Sequence, residues 1–266
     1  MKTFVIGDVH GRCTQLHNLL QMIERDAEEA DSIVLLGDLI DRGPDVPGVV
    51  DAVHKLHREK PSRVIVLRGN HEQMLLDFFD AGEPLWLSHT IGSNCTIAQY
   101  ASCSGDAAKA IEILGAGKNA DELRRWITQL VPPEHVDFFR ALPLYHEDDH
   151  ALYVHAGLDG DKHPRDTAPH HLLWSRDANF FRNYKGKPCV FGHTPTPLLP
   201  LRGRVGRHGI YISHSAIGLD TGYMHGSPLS CLQLPDFTLY QAFADGHTAV
   251  HHITAFIPEP LRRMQK

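Results

Sequence analysis

The sequence predicts an α/β fold, and three observations predict it. Three apolar runs, Thr3 to Ile6, Ile33 to Leu36 and Val64 to Leu67, are each followed at once by a polar, glycine-bearing cluster. The clusters recur regularly: Asp8 to Asp38 spans 30 residues and Asp38 to Asn70 spans 32, close to the roughly 30 of a strand–helix–strand unit. Between the clusters the hydrophobic period becomes helical. Leu16, Leu19, Leu20 and Ile23 fall at i, i+3, i+4 and i+7, as do Val46, Val49, Val50 and Val53, and each set makes one apolar stripe able to cover a sheet face.

Each element follows from this pattern. The three strands are apolar throughout, as parallel strands covered on both faces must be. Met74, Leu75, Phe78 and Phe79 give a third helix, so the first 80 or so residues read as βαβαβα. Residues 81–131 are richer in Pro, Gly, Ser, Thr and Asn, and read as an insertion near the active site with a helix at Leu123 to Leu130. A short helix is expected at Glu134 to Ala141, after Pro132-Pro133. Seven β segments follow: Leu144 to Glu147, Ala151 to His155, Cys189 to Gly192, Gly209 to Ser213, Leu229 to Leu234, Thr238 to Phe243 and Val250 to Phe256. A parallel half followed by a mostly antiparallel half suggests two sheets packed face to face with helices outside. Residues 1–257 are expected to form one domain, and 258–266 a loosely held tail.

Composition narrows the function. A formal charge of −6 argues against binding a nucleic acid polymer through its backbone. The five cysteines form no Cys-x-x-Cys pair and read as reduced thiols. The first cluster begins at residue 7, which leaves no room for a signal peptide, and no apolar run approaches the roughly 20 residues of a membrane span. A soluble cytoplasmic protein without membrane partners is expected. Twenty histidines are many, but pairs such as His170-His171 and His251-His252 need no functional explanation.

The chemistry lies in five strand-end motifs. They are Gly7-Asp8-Val9-His10-Gly11, Gly37-Asp38-Leu39-Ile40-Asp41-Arg42-Gly43, Gly69-Asn70-His71-Glu72, His155-Ala156-Gly157 and Gly192-His193-Thr194. Strands of an open α/β sheet bring such segments to one edge, where ligands bind. Oxygen and nitrogen donors converging there suit a pair of divalent metals. A single cluster of this kind is as often a plain turn; five in order are not. Together they resemble the calcineurin-like metallophosphoesterases, and within them the phosphoprotein phosphatases. The nearest likeness is to the bacterial branch of serine/threonine phosphatases and symmetrical diadenosine tetraphosphate hydrolases. Leu172-Leu173-Trp174-Ser175-Arg176-Asp177 and Leu219-Asp220-Thr221-Gly222 also resemble that branch.

The resemblance implies a four-layer α-β-β-α sandwich of two mixed sheets. It implies that Asp8 and His10 bind one metal, that Asp38 bridges both, and that Asn70, His155 and His193 complete the second site. A dimetal-bridging hydroxide would attack phosphorus in line. His71 would be the general acid, oriented by Asp41, while Arg42 and Arg176 clamp the phosphoryl oxygens. Two divalent ions are expected: the ligand set suits Mn²⁺, Fe or Zn²⁺ better than calcium, and the bacterial-type likeness favours manganese. Glu72 and Asp220 are expected to act structurally, behind the site.

Blander readings exist for some residues. Asp41 alone would serve as a helix cap, Arg42 as the partner of a surface acid, and Arg176 as one half of a local ion pair. The expected substrate is phosphoserine or phosphothreonine in a protein or peptide, or a small phosphate ester. The alternative is a dinucleoside polyphosphate, with Trp86, Tyr100 or Trp126 stacking on a base; Gly92, Thr96 and Tyr100 resemble a small motif of bacterial relatives. A metal-binding scaffold without catalysis is the third reading, and the intact set of ligands, acid and arginines speaks against it. The sequence does not fix the oligomeric state.

Overall fold

The computed structural model describes residues 1–107, 120–200, 209–222, 226–254, 257–258 and 261. The N-terminal half follows the expected order: β1 (Thr3–Ile6), α1 (Cys13–Asp26), β2 (Ser32–Leu35), α2 (Val46–Glu59), β3 (Val64–Val66) and α3 (Asn70–Ala81). Both stripes face inward, with Leu16, Leu19 and Ile23 of α1 and Val46, Val49, Val50 and Val53 of α2 buried. Asp45 caps α2 by accepting from the Gly48 N–H. α3 begins at Asn70 itself, so the third cluster forms the first turn of a helix.

Among the described residues of 81–131 there is more helix than the single one expected at Leu123 to Leu130. A 3₁₀ turn spans Pro84–Leu87, followed by α4 (Ser93–Cys103) and α5 (Ala120–Leu130), and α6 (Pro133–Ala141) comes next. α4 is built largely from Ser, Asn, Cys and Thr, which are weak helix formers. Burial of Thr96, Ile97, Tyr100 and Ala101 holds it helical. Residues 108–119 lie outside the described residues.

The C-terminal half adds β4 (Tyr145–Glu147), β5 (Leu152–Val154), α7 (Pro169–Trp174), α8 (Ala178–Asn183), β6 (Cys189–Phe191), β7 (Tyr211–Ser213) and β8 (Ala216–Gly218). It ends with β9 (Leu229–Leu234), β10 (Thr238–Ala242) and β11 (Thr248–His252). Two mixed sheets result, ordered β11-β10-β9-β1-β2-β3 and β4-β5-β6-β8-β7. The second half is mostly antiparallel, as expected, with two features that the local pattern does not carry. β6 runs parallel to both β5 and β8, and β9 returns to pair antiparallel with β1. β9 is buried at every position, as a strand with neighbours on both sides must be. β8 is a strand beyond those expected, and it pairs antiparallel with β7.

Strand alternation builds the layers. Phe4 and Ile6 pack with the α1 and α2 stripes, whereas Val5 packs with Val34, Tyr153, Val190 and Ile217 between the sheets. On the second sheet Leu152, Val154 and Phe191 turn outward to Phe180 and Phe181 of α8. The molecule is therefore an α-β-β-α sandwich. Of the expected tail, Leu261 is buried with the residues between the sheets; residues 259–260 and 262–266 lie outside the described residues, as does Phe256 of the last expected strand.

Candidate active site

Five strands of the two sheets end at a common edge, and the predicted residues lie just past those ends. Asp8 and His10 follow β1, Asp38 follows β2, Asn70 and His71 follow β3, His155 follows β5, and His193 follows β6. All seven are buried. Backbone bonds tie the loops together: Val9 and His10 donate to the Asp38 carbonyl at 3.1 and 2.8 Å, and Gly11 donates to Leu39 at 2.9 Å. His10, Asp38, Asp41, Arg42 and His193 all have positive φ, between 44° and 70°. Five such non-glycine residues at one edge mark backbone strain gathered at a functional site.

Donor atoms converge around the Asp38 carboxylate. His10 Nε2 and His71 Nε2 lie 3.5 and 3.8 Å from Oδ2, and His155 Nε2 lies 3.4 Å from Oδ1. Single donor atoms of His10, Asp38 and His71 fall within 4.8 Å of one another, as do those of Asp38, His155 and His193. Asn70 Oδ1 is 2.9 Å from His155 Nε2 and 2.8 Å from His193 Nδ1. Asp38 thus stands between two clusters, as a bridging ligand would.

The residues fit a cation pair on further grounds. His10 Nδ1 and His155 Nδ1 each lie 2.8 Å from a carbonyl, of Ile40 and Leu36 respectively. A carbonyl only accepts, so each ring keeps its proton on Nδ1 and turns the Nε2 lone pair inward. Burial, reinforced by neighbouring positive groups, holds His10 and His193 neutral, His193 pulled down to about 2. Asp8 Oδ1 and His193 Nε2 are buried with no hydrogen-bond partner among the described residues. Burial and the nearby Asp220 and Asp38 push the Asp8 carboxyl well up, and a cluster of buried acids of this kind is relieved by bound positive charge. Gly192 donates its N–H to the His155 carbonyl at 2.8 Å, and a Cβ on it would collide with Asp8 Oδ1.

Beside the clusters, His71 Nδ1 lies 2.6 Å from Asp41 Oδ2. Burial alone would lower the imidazole's affinity for a proton, but Asp38 and the Asp41 bond outweigh it and hold His71 above its ordinary value. Arg42 reaches His10 Nε2 at 2.8 Å and His71 Nε2 at 3.0 Å, so its guanidinium faces the site and not a surface acid. Asp41 is no helix cap, since Asp45 caps α2. Arg176 is exposed, yet its charge acts on His193. Trp174, two residues earlier, is half-buried with its ring 6.2 Å from that of His193.

The profile of the family described as Calcineurin-like phosphoesterase matches residues 1–249. The chain belongs to that family. Membership makes this calcineurin-like phosphoesterase a dimetal hydrolase, in keeping with the His and Asp clusters. A bis(5'-nucleosyl)-tetraphosphatase PrpE [asymmetrical] of Oceanobacillus iheyensis is 26% identical, over 89% of this chain and 90% of the relative. Among solved structures, a candidate diadenosine tetraphosphatase is similar with a TM-score of 0.57 and 19% identity, covering 94% of this chain and 92% of that one. A protein serine/threonine phosphatase from Saccharomyces cerevisiae is similar with a TM-score of 0.51 and 17% identity, covering 88% and 72%. These likenesses establish the shared fold.

Behind the site of this phosphoesterase, Glu72 acts structurally, as expected, and Arg12 joins it. Glu72 accepts from four backbone N–H groups: Asp38 at 2.9 Å, Leu39 at 2.7 Å, Ile40 at 3.3 Å and Gly69 at 2.8 Å. It clamps the second cluster to the third. Arg12 is buried and donates to the carbonyls of Asp8, Val9, Gly222 and Pro228, tying the first cluster to the loop after Asp220; nothing at the start of an amphipathic helix distinguishes such an arginine from a surface one. Trp86, Tyr100 and Trp126 are buried in the core, so none offers a face for base stacking. Trp86 Nε1 and Thr96 Oγ1 instead donate to Asp41, at 3.1 and 2.6 Å.

Proposed function

We propose that this dimetal hydrolase is a phosphomonoesterase acting on phosphoserine or phosphothreonine in proteins or peptides. The observation that carries this reading is the buried His71–Asp41 pair beside the Asp38 cluster. A serine or threonine alkoxide is a poor leaving group, and a positioned acid serves that case best. Asp8, His10 and Asp38 would hold one cation, and Asp38, Asn70, His155 and His193 the other, with Mn²⁺ as the proposed metal. When bound, the pair supplies Lewis acidity and an activated water for in-line displacement at phosphorus.

The chain's own residues do the rest. Arg42, aimed at His10 and His71, and the exposed Arg176 bind the phosphoryl oxygens through planar guanidinium forks. His71 delivers a proton from Nε2 to the leaving oxygen. Asp41 accepts a hydrogen bond from the Nδ1–H, fixing the ring and favouring its charged form. No side chain acts as nucleophile, so no phosphoenzyme forms. The five cysteines are free, which suits a reducing cytoplasm; no helix among the described residues is long and apolar enough to cross a membrane.

A second reading is favoured by a different observation. The curated relatives that align over nearly the whole chain carry the name bis(5'-nucleosyl)-tetraphosphatase. On that reading the substrate is a dinucleoside polyphosphate and the bond cleaved is an anhydride. One experiment separates the two: rates on a phosphoserine peptide and on diadenosine tetraphosphate, measured with Mn²⁺ and again after chelation. A higher kcat/KM on the peptide supports the monoesterase. A higher value on the dinucleotide supports the second reading; ATP plus AMP would mark asymmetrical cleavage, and two ADP the symmetrical cut that the sequence suggested. Activity that survives full chelation contradicts both.

A further inference from the structure

We propose that Trp86 and Thr96 are positioning residues of the proton donor, so that the 84–103 segment is part of the catalytic apparatus. The proposal rests on the assignment of His71 as the acid. It comes from the way both oxygens of one buried carboxylate are occupied. Asp41 is fully buried. Its Oδ1 accepts the Thr96 hydroxyl at 2.6 Å, and its Oδ2 accepts both the Trp86 indole N–H at 3.1 Å and the His71 Nδ1–H at 2.6 Å. Thr96 Oγ1 also accepts the Asp41 backbone N–H at 3.0 Å. One hydroxyl thus fixes the backbone and the side chain of the same residue.

The segment also holds the backbone just past Asp41. Asp41 and Arg42 take consecutive left-handed conformations, with φ of 70° and 67°, which non-glycine residues adopt only when neighbours enforce them. Arg42 donates its N–H to Gly92 at 3.1 Å and its Nε–H to Ile91 at 3.3 Å. Gly92 itself has φ 88°, and a Cβ there would lie 2.7 Å from Arg42 Cγ. Gln99 donates to the Gly43 carbonyl at 2.8 Å. One turn beyond Thr96, Tyr100 meets His135 Nδ1 at 2.9 Å, and His135 Nε2 meets Asp51 at 2.9 Å. That chain anchors α4 to α6 and α2.

Physically, a carboxylate given two additional donors is fixed in orientation. It can then hold the His71 ring so that Nε2–H points at the leaving oxygen. Loss of either donor would let Asp41 rotate and misalign the acid. The penalty should scale with how much the leaving group needs a proton, because an activated aryl oxide departs without one and an alkoxide does not.

The test uses Thr96→Val, Thr96→Ser and Trp86→Phe in the Mn²⁺-loaded full chain, with His71→Asn as reference. Substrates are 4-nitrophenyl phosphate and a phosphoserine peptide, and metal content is measured for every variant. Thr96→Val and Trp86→Phe are expected to lower kcat on the peptide by at least about tenfold, with 4-nitrophenyl phosphate affected by less than about threefold. KM and metal content should hold, and Thr96→Ser should restore the parent profile. A purely structural role would slow both substrates equally, and that result overturns the proposal. Should Thr96→Val not fold, Trp86→Phe together with Thr96→Ser decides the matter by the same criterion. If His71→Asn itself shows no dependence on the leaving group, the acid assignment fails. If His71→Asn shows it and Trp86→Phe and Thr96→Val do not, only the positioning role fails.

Discussion

His71 and Glu72 are consecutive residues at the start of α3, yet they serve different partners. His71 turns to Asp41 at 2.6 Å, while Glu72 turns to the backbone of residues 38–40 and 69. Substituting each should therefore fail in a different way. His71→Asn should cut kcat on a phosphoserine peptide by about 10²–10⁴ while leaving Mn²⁺ content near that of the parent, since the proposed metal ligands all remain. Activity assays paired with metal analysis check this, and an unchanged turnover would remove His71 from the chemistry. Glu72→Gln places an amide NH₂ where backbone donors already converge. Its cost should be about 3 kcal/mol in a urea unfolding experiment on the metal-free protein, the scale of breaking charged, buried hydrogen bonds. A midpoint equal to the parent's would show that the clamp contributes nothing.

At the scale of elements, the strand ends do the positioning, and they are also what could be read in the sequence. Apolar runs ending in Gly-Asp or Gly-Asn clusters put Asp8, His10, Asp38, Asn70 and His71 just past strand ends, where the structure also has them, because a parallel strand buried on both faces leaves a sharp boundary with its polar loop. His155 and His193 were legible for the same reason. α4 was not, since its residues are poor helix formers and burial of Thr96, Ile97 and Tyr100 decides its state. Nor was the placement of β9, because pairing with β1 is a long-range choice that no local pattern records. The roles of Arg12 and Thr96 were hidden likewise: each depends on partners far away in sequence, as in Arg12 to Gly222 and Thr96 to Asp41. One prediction belongs here. Gly192→Ala, at the end of β6, should displace the Asp8 carboxylate and lower bound metal to about one ion per chain or fewer. Metal analysis of purified variant protein checks it, and full occupancy would show that Asp8 has room to move.

For the whole molecule, the sandwich makes the site a seam between two sheets. Asp8, Asp38 and Asn70 come from the first sheet, and His155 and His193 from the second. Elsewhere the sheets are joined mainly by apolar packing such as Val5, Val34, Tyr153 and Val190, with polar links like Thr3 to Asp148 at 2.6 Å. Cations held across the seam would bind the folded chain alone, and binding of that kind stabilises by about 2.7 kcal/mol at a hundred times Kd. The melting temperature should thus rise with Mn²⁺ concentration, fall on chelation, and respond little to Mn²⁺ in Asp38→Asn. A melting temperature indifferent to Mn²⁺ in the parent would mean that the seam holds no metal.

The most direct measurement is anomalous diffraction at the manganese edge from crystals grown with Mn²⁺. The expected map has two peaks about 3.5–4 Å apart, both in contact with Asp38, one beside Asp8 and His10 and the other beside Asn70, His155 and His193. A single peak, or peaks away from Asp38, would contradict the account.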